Sequence, residues 1–146
     1  ENIDILSEII RPATDKFMPE IERKGLTLVI RPATEHIFVD LDKSHMEIAV
    51  NNLLGNAVKY TPNHGMIEIV VSKAENTQIE VYNSSIPIGN ENKKKLFTPF
   101  SKIESAGKKE SGTGLGLYIT RKIAEAHGGR IEHESSATGN TFSIIL

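Results

Sequence analysis

Apolar side chains recur along this chain in two periods, one near 3.6 residues and one of two, and the changes between them predict its elements. The helical period covers residues 3–23, where Pro12 and Pro19 interrupt it, so one kinked helix or two short ones are predicted. It covers residues 42–60 next, and it returns over residues 113–126, directly before a pair of glycines. The pattern therefore predicts three helical regions.

The period of two predicts strands that follow one another in pairs. The predicted strands are residues 26–30, 36–41, 66–72, 78–83, 131–134 and 141–146. Residues 84–112 are irregular, with one short helix near 91–97. The order α-β-β-α-β-β-loop-α-β-β predicts an α+β fold, a two-layer sandwich in which about three helices cover one face of a mixed, mostly antiparallel sheet of about five strands.

Length and composition narrow the classes of function. A chain of 146 residues suits a single domain, residues 1–146. The net charge of -2 predicts no general attraction to nucleic acid or to an anionic membrane, and the absence of cysteine excludes disulfides and thiolate metal sites. The apolar runs are too short for a membrane span. Because the sequence starts at Glu1 inside a helical pattern, we expect it to be a fragment of a longer protein.

The helix predicted at residues 42–60 carries a polar stripe. Asn52, Asn56 and Lys59 fall within about 60° on a helical projection. Amide oxygens suit Mg²⁺ beside phosphate oxygens, and an ammonium group suits phosphate. The stripe could also be the ordinary solvated face of a surface helix. Asparagine is a poor residue for a helix interior, which favours a binding role.

A glycine-rich segment, Gly112–Leu117, leads into the last predicted helix. Alternating glycines let backbone N–H groups approach a ligand, and a helix start favours an anion. The spacing does not fit the dinucleotide fingerprint, and Thr113 stands where a P-loop would have lysine. A flexible linker or tight helix packing would explain the glycines equally well.

The stretch from residue 87 to residue 111 is too long and polar for a simple connection, and it suggests a lid that closes over a ligand. Phe97 and Phe100 are expected to anchor its base, and Lys102 is expected to reach phosphate. A disordered surface loop is the alternative.

Taken in order, these segments make the chain resemble the catalytic and ATP-binding domain of sensor histidine kinases, a branch of the ATPase group that includes gyrase B, Hsp90 and MutL. Asn52–Pro62 resembles the N box, Lys95–Phe100 the F box and Gly112–Leu117 the G2 box. Ala126–Gly129 and Gly139–Phe142 are similar to the family's C-terminal run. The resemblance covers nearly the whole chain and implies the Bergerat-type fold with a long ATP lid.

The resemblance also implies a site for ATP and Mg²⁺. Asn56, with Asn52 beside it, would coordinate the metal, and Lys59 would contact phosphate. Thr141 would support the adenine pocket. The full implied nucleotide site is Asn52, Asn56, Lys59, Tyr60, Asn83, Lys102, Thr113, Gly114, Leu115, Gly116 and Thr141.

Two positions depart from the family or from its hydrolytic relatives. The family's G1 box, Asp-x-Gly-x-Gly, is replaced here by Asn83-Ser-Ser-Ile-Pro87. Asn83 keeps a side-chain oxygen that can accept a hydrogen bond from adenine, but it lacks the negative charge of aspartate. The loss of charge is expected to weaken this contact by about 1 kcal/mol. The ATP-hydrolysing relatives carry a glutamate base where this chain has Asn52, and an amide cannot act as a base.

The implied function is transfer of the ATP γ-phosphoryl group to a histidine on a separate dimerisation domain, which this chain lacks, in two-component signalling with a response regulator. The resemblance implies a cytoplasmic, monomeric domain that contacts neither nucleic acid nor membrane and does not autophosphorylate by itself. Two alternatives remain. One is a degenerate or regulatory nucleotide-binding module, and the other is a protein serine kinase of the anti-sigma-factor type.

Overall fold

A computed structural model describes residues 1–33, 35–100 and 114–146 of the chain. The strands are β1 (Asn2–Asp4), β2 (Thr27–Arg31), β3 (Phe38–Asp40), β4 (Met66–Lys73), β5 (Thr77–Ser84), β6 (Arg130–Ser135) and β7 (Gly139–Ile145). The helices are α1 (Arg11–Arg23), which a π-helical turn (Leu6–Ile10) precedes, α2 (Lys43–Tyr60), α3 (Asn90–Lys93) and α4 (Gly116–Ala126). The expectations for a lid at Lys102 and for Thr113 lie outside the described residues.

Five strands form one mixed sheet in the order β2-β4-β5-β7-β6. β2 runs parallel to β4, and the other neighbours are antiparallel. β1 and β3 form a separate antiparallel pair. The predicted fold class, an α+β sandwich with a mostly antiparallel five-stranded sheet, is confirmed.

The core lies between the sheet and the helices on one of its faces. Alternate residues of β4 and β5, such as Ile67, Ile69 and Val81, are buried, while their neighbours along each strand are more exposed. This alternation is what a sheet with one covered face requires. α2 contacts β5, α4 contacts β6, and α1 packs against α2.

The first residues differ from the sequence-based expectation. β1 (Asn2–Asp4) pairs with β3 and includes residues 3 and 4, which were predicted as the start of the first helix, so the helical segment begins only at Leu6. The carboxylate of Asp4 secures this pairing by accepting hydrogen bonds from the backbone N–H of Ile37 (3.2 Å) and from the Ser7 hydroxyl (2.7 Å). A partner more than thirty residues away is invisible to a local hydrophobic period, which explains the error.

The helices also refine the predicted boundaries. Pro12 lies near the junction between the π-helical turn and α1, and Pro19 lies inside α1, so the helical backbone continues past both prolines. α4 begins at Gly116, three residues after the predicted start. No helix among the described residues combines the length with the apolar character that a membrane span needs.

Candidate functional site

The polar stripe of α2 is oriented by the apolar residues of the same helix. Asp42 caps the helix, because its carboxylate accepts a hydrogen bond from the backbone N–H of His45 (3.0 Å). The residues that point into the core are Met46, Ala49, Val50, Leu53, Leu54, Ala57 and Val58. With that face fixed, Asn52 and Asn56 are left half-buried, and Lys59 and Tyr60 are exposed.

The start of α4 lies directly against this stripe. The Asn52 side-chain nitrogen donates a hydrogen bond to the carbonyl oxygen of Gly116 (3.2 Å) and lies 3.5 Å from the Thr120 hydroxyl. Thr120 donates to the same Gly116 carbonyl oxygen (2.8 Å). Two segments that are 64 residues apart in sequence are therefore in contact, as a single binding pocket requires.

The glycine segment gives α4 a start suited to an anion. Gly114 has a φ of 73°, which glycine adopts without strain, and Leu115 provides no side-chain cap. The N–H groups of the first turn of α4 have no partner within the helix, and the helix dipole adds partial positive charge there. This helix start lies against Asn52 of the stripe.

Lys59 supplies a positive charge at the other end of the stripe. Its ammonium nitrogen lies 5.1 Å from the centroid of the Tyr60 ring, within the range of a cation–π contact. Both side chains are exposed at the end of α2.

The end of β5 adjoins the end of α2 through Gly65. A Cβ on Gly65 would lie 2.4 Å from the Thr61 methyl carbon and 2.8 Å from the Ser84 hydroxyl oxygen, so these two residues converge there. Asn83, the residue before Ser84, is only 5% exposed and pairs with Ile67 and Asn140 on the neighbouring strands. Asn83 therefore lies on the covered face of the sheet, where β5 reaches the α2 end of the site.

Thr141 lies on the opposite face of the sheet from Asn83. In the register of β5, β6 and β7 it is opposite Tyr82 and Glu134, and the alternation of side chains along a strand places these three on the face away from Asn83. The structure thus does not bring Thr141 together with Asn83. The residue that shares the covered face with Asn83 is Asn140, which is 3% exposed and which sequence reasoning did not single out. Its signal was present, since asparagine is unfavourable in a strand.

The two phenylalanines expected at the base of the lid behave differently. Phe97 packs edge-to-face against Phe142 of β7, with ring centroids 6.3 Å apart. Phe100 is 72% exposed and does not anchor the segment. Residues 101–113, which include Lys102, lie outside the described part of the chain.

The site favours a cation that binds amide and phosphate oxygens. No group of three or more acidic, cysteine or histidine side chains within the described ranges could hold a metal ion by itself. The half-buried amides of Asn52 and Asn56 are hard oxygen donors, which suit Mg²⁺ that is shared with phosphates. The residues present therefore fit a magnesium–nucleotide complex better than a metal held by protein alone.

Comparison with known proteins agrees with this geometry. Residues 41–146 match the family described as histidine kinase-, DNA gyrase B-, and HSP90-like ATPase. The chain belongs to this family. The catalytic domain of histidine kinase ThkA, in a nucleotide-free form, superposes with a TM-score of 0.87 at 31% identity, covering 100% of this chain and 97% of that one.

Curated sensor kinases and histidine kinases are also similar to this chain in sequence. The histidine protein kinase DivJ of Caulobacter vibrioides is 33% identical over 141 residues, which is 95% of this chain and 24% of DivJ. The probable sensor kinase SilS of Salmonella typhimurium is 35% identical over 110 residues, 74% of this chain and 22% of SilS. The domain thus spans about a quarter of the curated relatives that it matches. The chain is thus a catalytic, ATP-binding domain of the histidine kinase type.

Proposed function

We propose that this histidine kinase domain binds Mg-ATP between α2, the start of α4 and the end of β5, and donates the γ-phosphoryl group to a histidine on a separate dimerisation domain. The observation that carries the proposal is the 3.2 Å hydrogen bond from Asn52 to the Gly116 carbonyl oxygen. It joins the stripe that would hold the metal to the helix start that would hold the phosphates. Bound Mg²⁺ would offset negative charge on the phosphates.

Each element then has a defined task. Asn56 and the oxygen of Asn52 would hold the metal, while the nitrogen of Asn52 keeps α4 in place. The N–H groups at Gly116 and Leu117 donate to phosphate oxygens, and Lys59 contributes a further charge. Asn83 accepts a hydrogen bond from the adenine amino group.

Phosphoryl transfer fits this site better than hydrolysis. The position one helical turn before Asn56 is Asn52, and its amide cannot remove a proton from water. In the proposed reaction a histidine nitrogen of the dimerisation domain forms a bond to the γ-phosphorus, and the bond to the bridging oxygen breaks as ADP leaves. The group that accepts the imidazole proton comes from the dimerisation domain.

We further propose a response regulator as the partner that receives the phosphoryl group next. Support comes from a structure of histidine kinase ThkA in complex with the response regulator protein TrrA, whose kinase chain has 27% identity and a TM-score of 0.84. That match covers 100% of this chain and 41% of the ThkA chain.

Calorimetric titration with a non-hydrolysable ATP analogue tests the nucleotide site. We expect binding that requires Mg²⁺, and we expect Asn56→Ala to raise the Kd about tenfold in Mg²⁺ with a much smaller effect in EDTA. Asn76→Ala is the matched control, because Asn76 is exposed in the turn at the far end of β5. Equal affinities for wild type and Asn56→Ala in Mg²⁺ would contradict the metal assignment.

A second experiment separates phosphoryl transfer from the alternatives. The domain is mixed with a separately produced dimerisation helix pair that carries the acceptor histidine, and with labelled ATP. Acid-labile, base-stable phosphate on the helices is expected. Acid-stable phosphate would favour the serine kinase, and nucleotide binding without any phosphate transfer would favour the regulatory module that the altered Asn83–Pro87 segment suggests.

A further inference from the structure

A buried asparagine fastens the segment that follows β5. The Asn140 side-chain nitrogen donates to the Ser85 hydroxyl oxygen (2.9 Å) and to the carbonyl oxygen of Ile86 (3.0 Å). Its oxygen accepts from the backbone N–H of Ile88 (2.9 Å) and contacts Nε2 of His133 at 2.9 Å. An asparagine amide can make four such bonds, so Asn140 is fully used.

The hydrogen-bond partners of Asn140 determine that Nε2 of His133 carries a proton. The Ile86 carbonyl can only accept and the Ile88 N–H can only donate, so the oxygen of Asn140 must face His133. Nε2 of His133 therefore carries the proton and donates it to Asn140. Nδ1 of His133 is buried and has no hydrogen-bond partner within the described residues.

The surroundings of His133 favour its neutral form. Burial lowers the pKa of His133; the hydrogen bond with Asn140 raises it, Lys93 on α3 lowers it, and Glu134 on β6 raises it, with a net lowering. The ring also packs against Phe142, with centroids 4.9 Å apart. A second proton would have to enter on the buried Nδ1.

The backbone of residues 85–88 depends on hydrogen bonds from outside this segment. Residues 85–88 read Ser-Ile-Pro-Ile, with no glycine, and Pro87 has no N–H to donate. β7 comes so close to Asn83 that a Cβ on Gly139 would lie 2.1 Å from the Asn83 carbonyl oxygen. The side chain of Asn140, together with the hydrogen bond from the Ser85 backbone N–H to the Thr138 carbonyl oxygen (3.2 Å), thus holds the chain after Asn83 without a glycine turn.

We propose that Asn140 is a positioning residue for the nucleotide base, which holds residues 85–88 after β5 and is itself oriented by the hydrogen bond from Nε2–H of His133. The proposal rests on the proposed nucleotide site. Asn140 acts on the base side of the ligand, whereas α2 and α4 act on the phosphates. Changes at Asn140 should therefore affect nucleotide and inorganic triphosphate differently.

The test compares two ligands, the Mg complex of a non-hydrolysable ATP analogue and Mg-tripolyphosphate. Asn140→Asp retains the two acceptor contacts but loses both donated bonds and places a charge beside the Ile86 carbonyl. We expect its Kd for the nucleotide to rise about tenfold while its Kd for tripolyphosphate stays within about twofold of wild type. Asn76→Asp, in the exposed β4–β5 turn, is the control.

A substitution of His133 tests the role of Asn140 independently. His133→Phe keeps a ring against Phe142 but removes the bond to Asn140, and we expect a smaller loss of nucleotide affinity. Imidazole nitrogen chemical shifts should show His133 as the Nε2–H tautomer.

The outcomes separate the two proposals. Failure of the folded wild type to bind nucleotide would refute the nucleotide site itself. Wild-type binding together with unchanged nucleotide affinity in folded Asn140→Asp would overturn the role of Asn140. If Asn140→Asp does not fold, His133→Phe decides, and a Kd for the nucleotide equal to that of the wild type overturns the proposal.

Discussion

Asparagine side chains provide much of the buried polar chemistry of this domain. An amide offers both donor and acceptor atoms without a charge, so it can be satisfied in a half-buried position at lower cost than a carboxylate or an ammonium. Asn52 uses its side-chain nitrogen to hold α4. Asn140 uses all four of its bonding positions. At Asn52 and Asn140 the unfavourable helix and strand propensities of asparagine are thus offset by specific contacts.

The single residue Asp4 makes the free energy of unfolding depend on pH. Burial raises its pKa, but hydrogen bonds from His36, Ser7 and the Ile37 N–H outweigh this and lower the pKa from 3.8 to about 2. Because the folded value is depressed, this stabilisation is complete above about pH 4 and is lost as the pH falls toward 2.

We therefore predict that Asp4→Asn lowers the free energy of unfolding at pH 7 by about 1–2 kcal/mol. It should also flatten the loss of stability between about pH 4 and pH 2. Urea unfolding at a series of pH values measures both effects. Asp15→Asn on the exposed face of α1 is the control, and an equal loss there would contradict the role of Asp4.

Among the elements, α2 connects the parts of the site. Asn52 on this helix contacts the start of α4, and Thr61 at its end meets Ser84 of β5 at Gly65. The rigid helix thus sets the distance between the phosphate end and the base end of the proposed pocket. Its position depends on the buried residues of α2, which pack on β5 and on α1.

The close approach of β7 to β5 gives a prediction for this pair of strands. Gly139→Ala would place a methyl group about 2 Å from the Asn83 carbonyl oxygen, so we expect the free energy of unfolding to fall by about 2–3 kcal/mol. At Gly89, where the nearest atom to a Cβ is 3.6 Å away, the same change should cost less than about 1 kcal/mol. Denaturant unfolding measures both, and equal costs would show that the contact at Gly139 relaxes freely.

On the scale of the whole molecule, a ligand that bridges α2, α4 and β5 should stabilise the fold. A ligand at a hundredfold excess over its Kd adds about 2.7 kcal/mol, which raises the Tm of a domain of this size by about 5–10 °C. We expect this shift with the Mg-ATP analogue, measured by calorimetry, and most of it should disappear in EDTA. A shift that is equal with and without Mg²⁺ would argue against metal-dependent binding.

The sequence by itself determined the strands of the sheet and the helices that cover it, because each of these segments has a local hydrophobic period of two or 3.6 residues. The family resemblance, carried by motifs in a specific order, also predicted that Asn52 and the Gly112–Leu117 segment share one site, and the structure shows Asn52 in contact with Gly116. Only the tertiary structure decided that Asn2–Asp4 is a strand, that Thr141 faces away from Asn83, and that Asn140 and His133 fasten the segment after β5. These features depend on strand register and on partners that are distant in sequence, and a one-residue change of register moves a side chain to the opposite face.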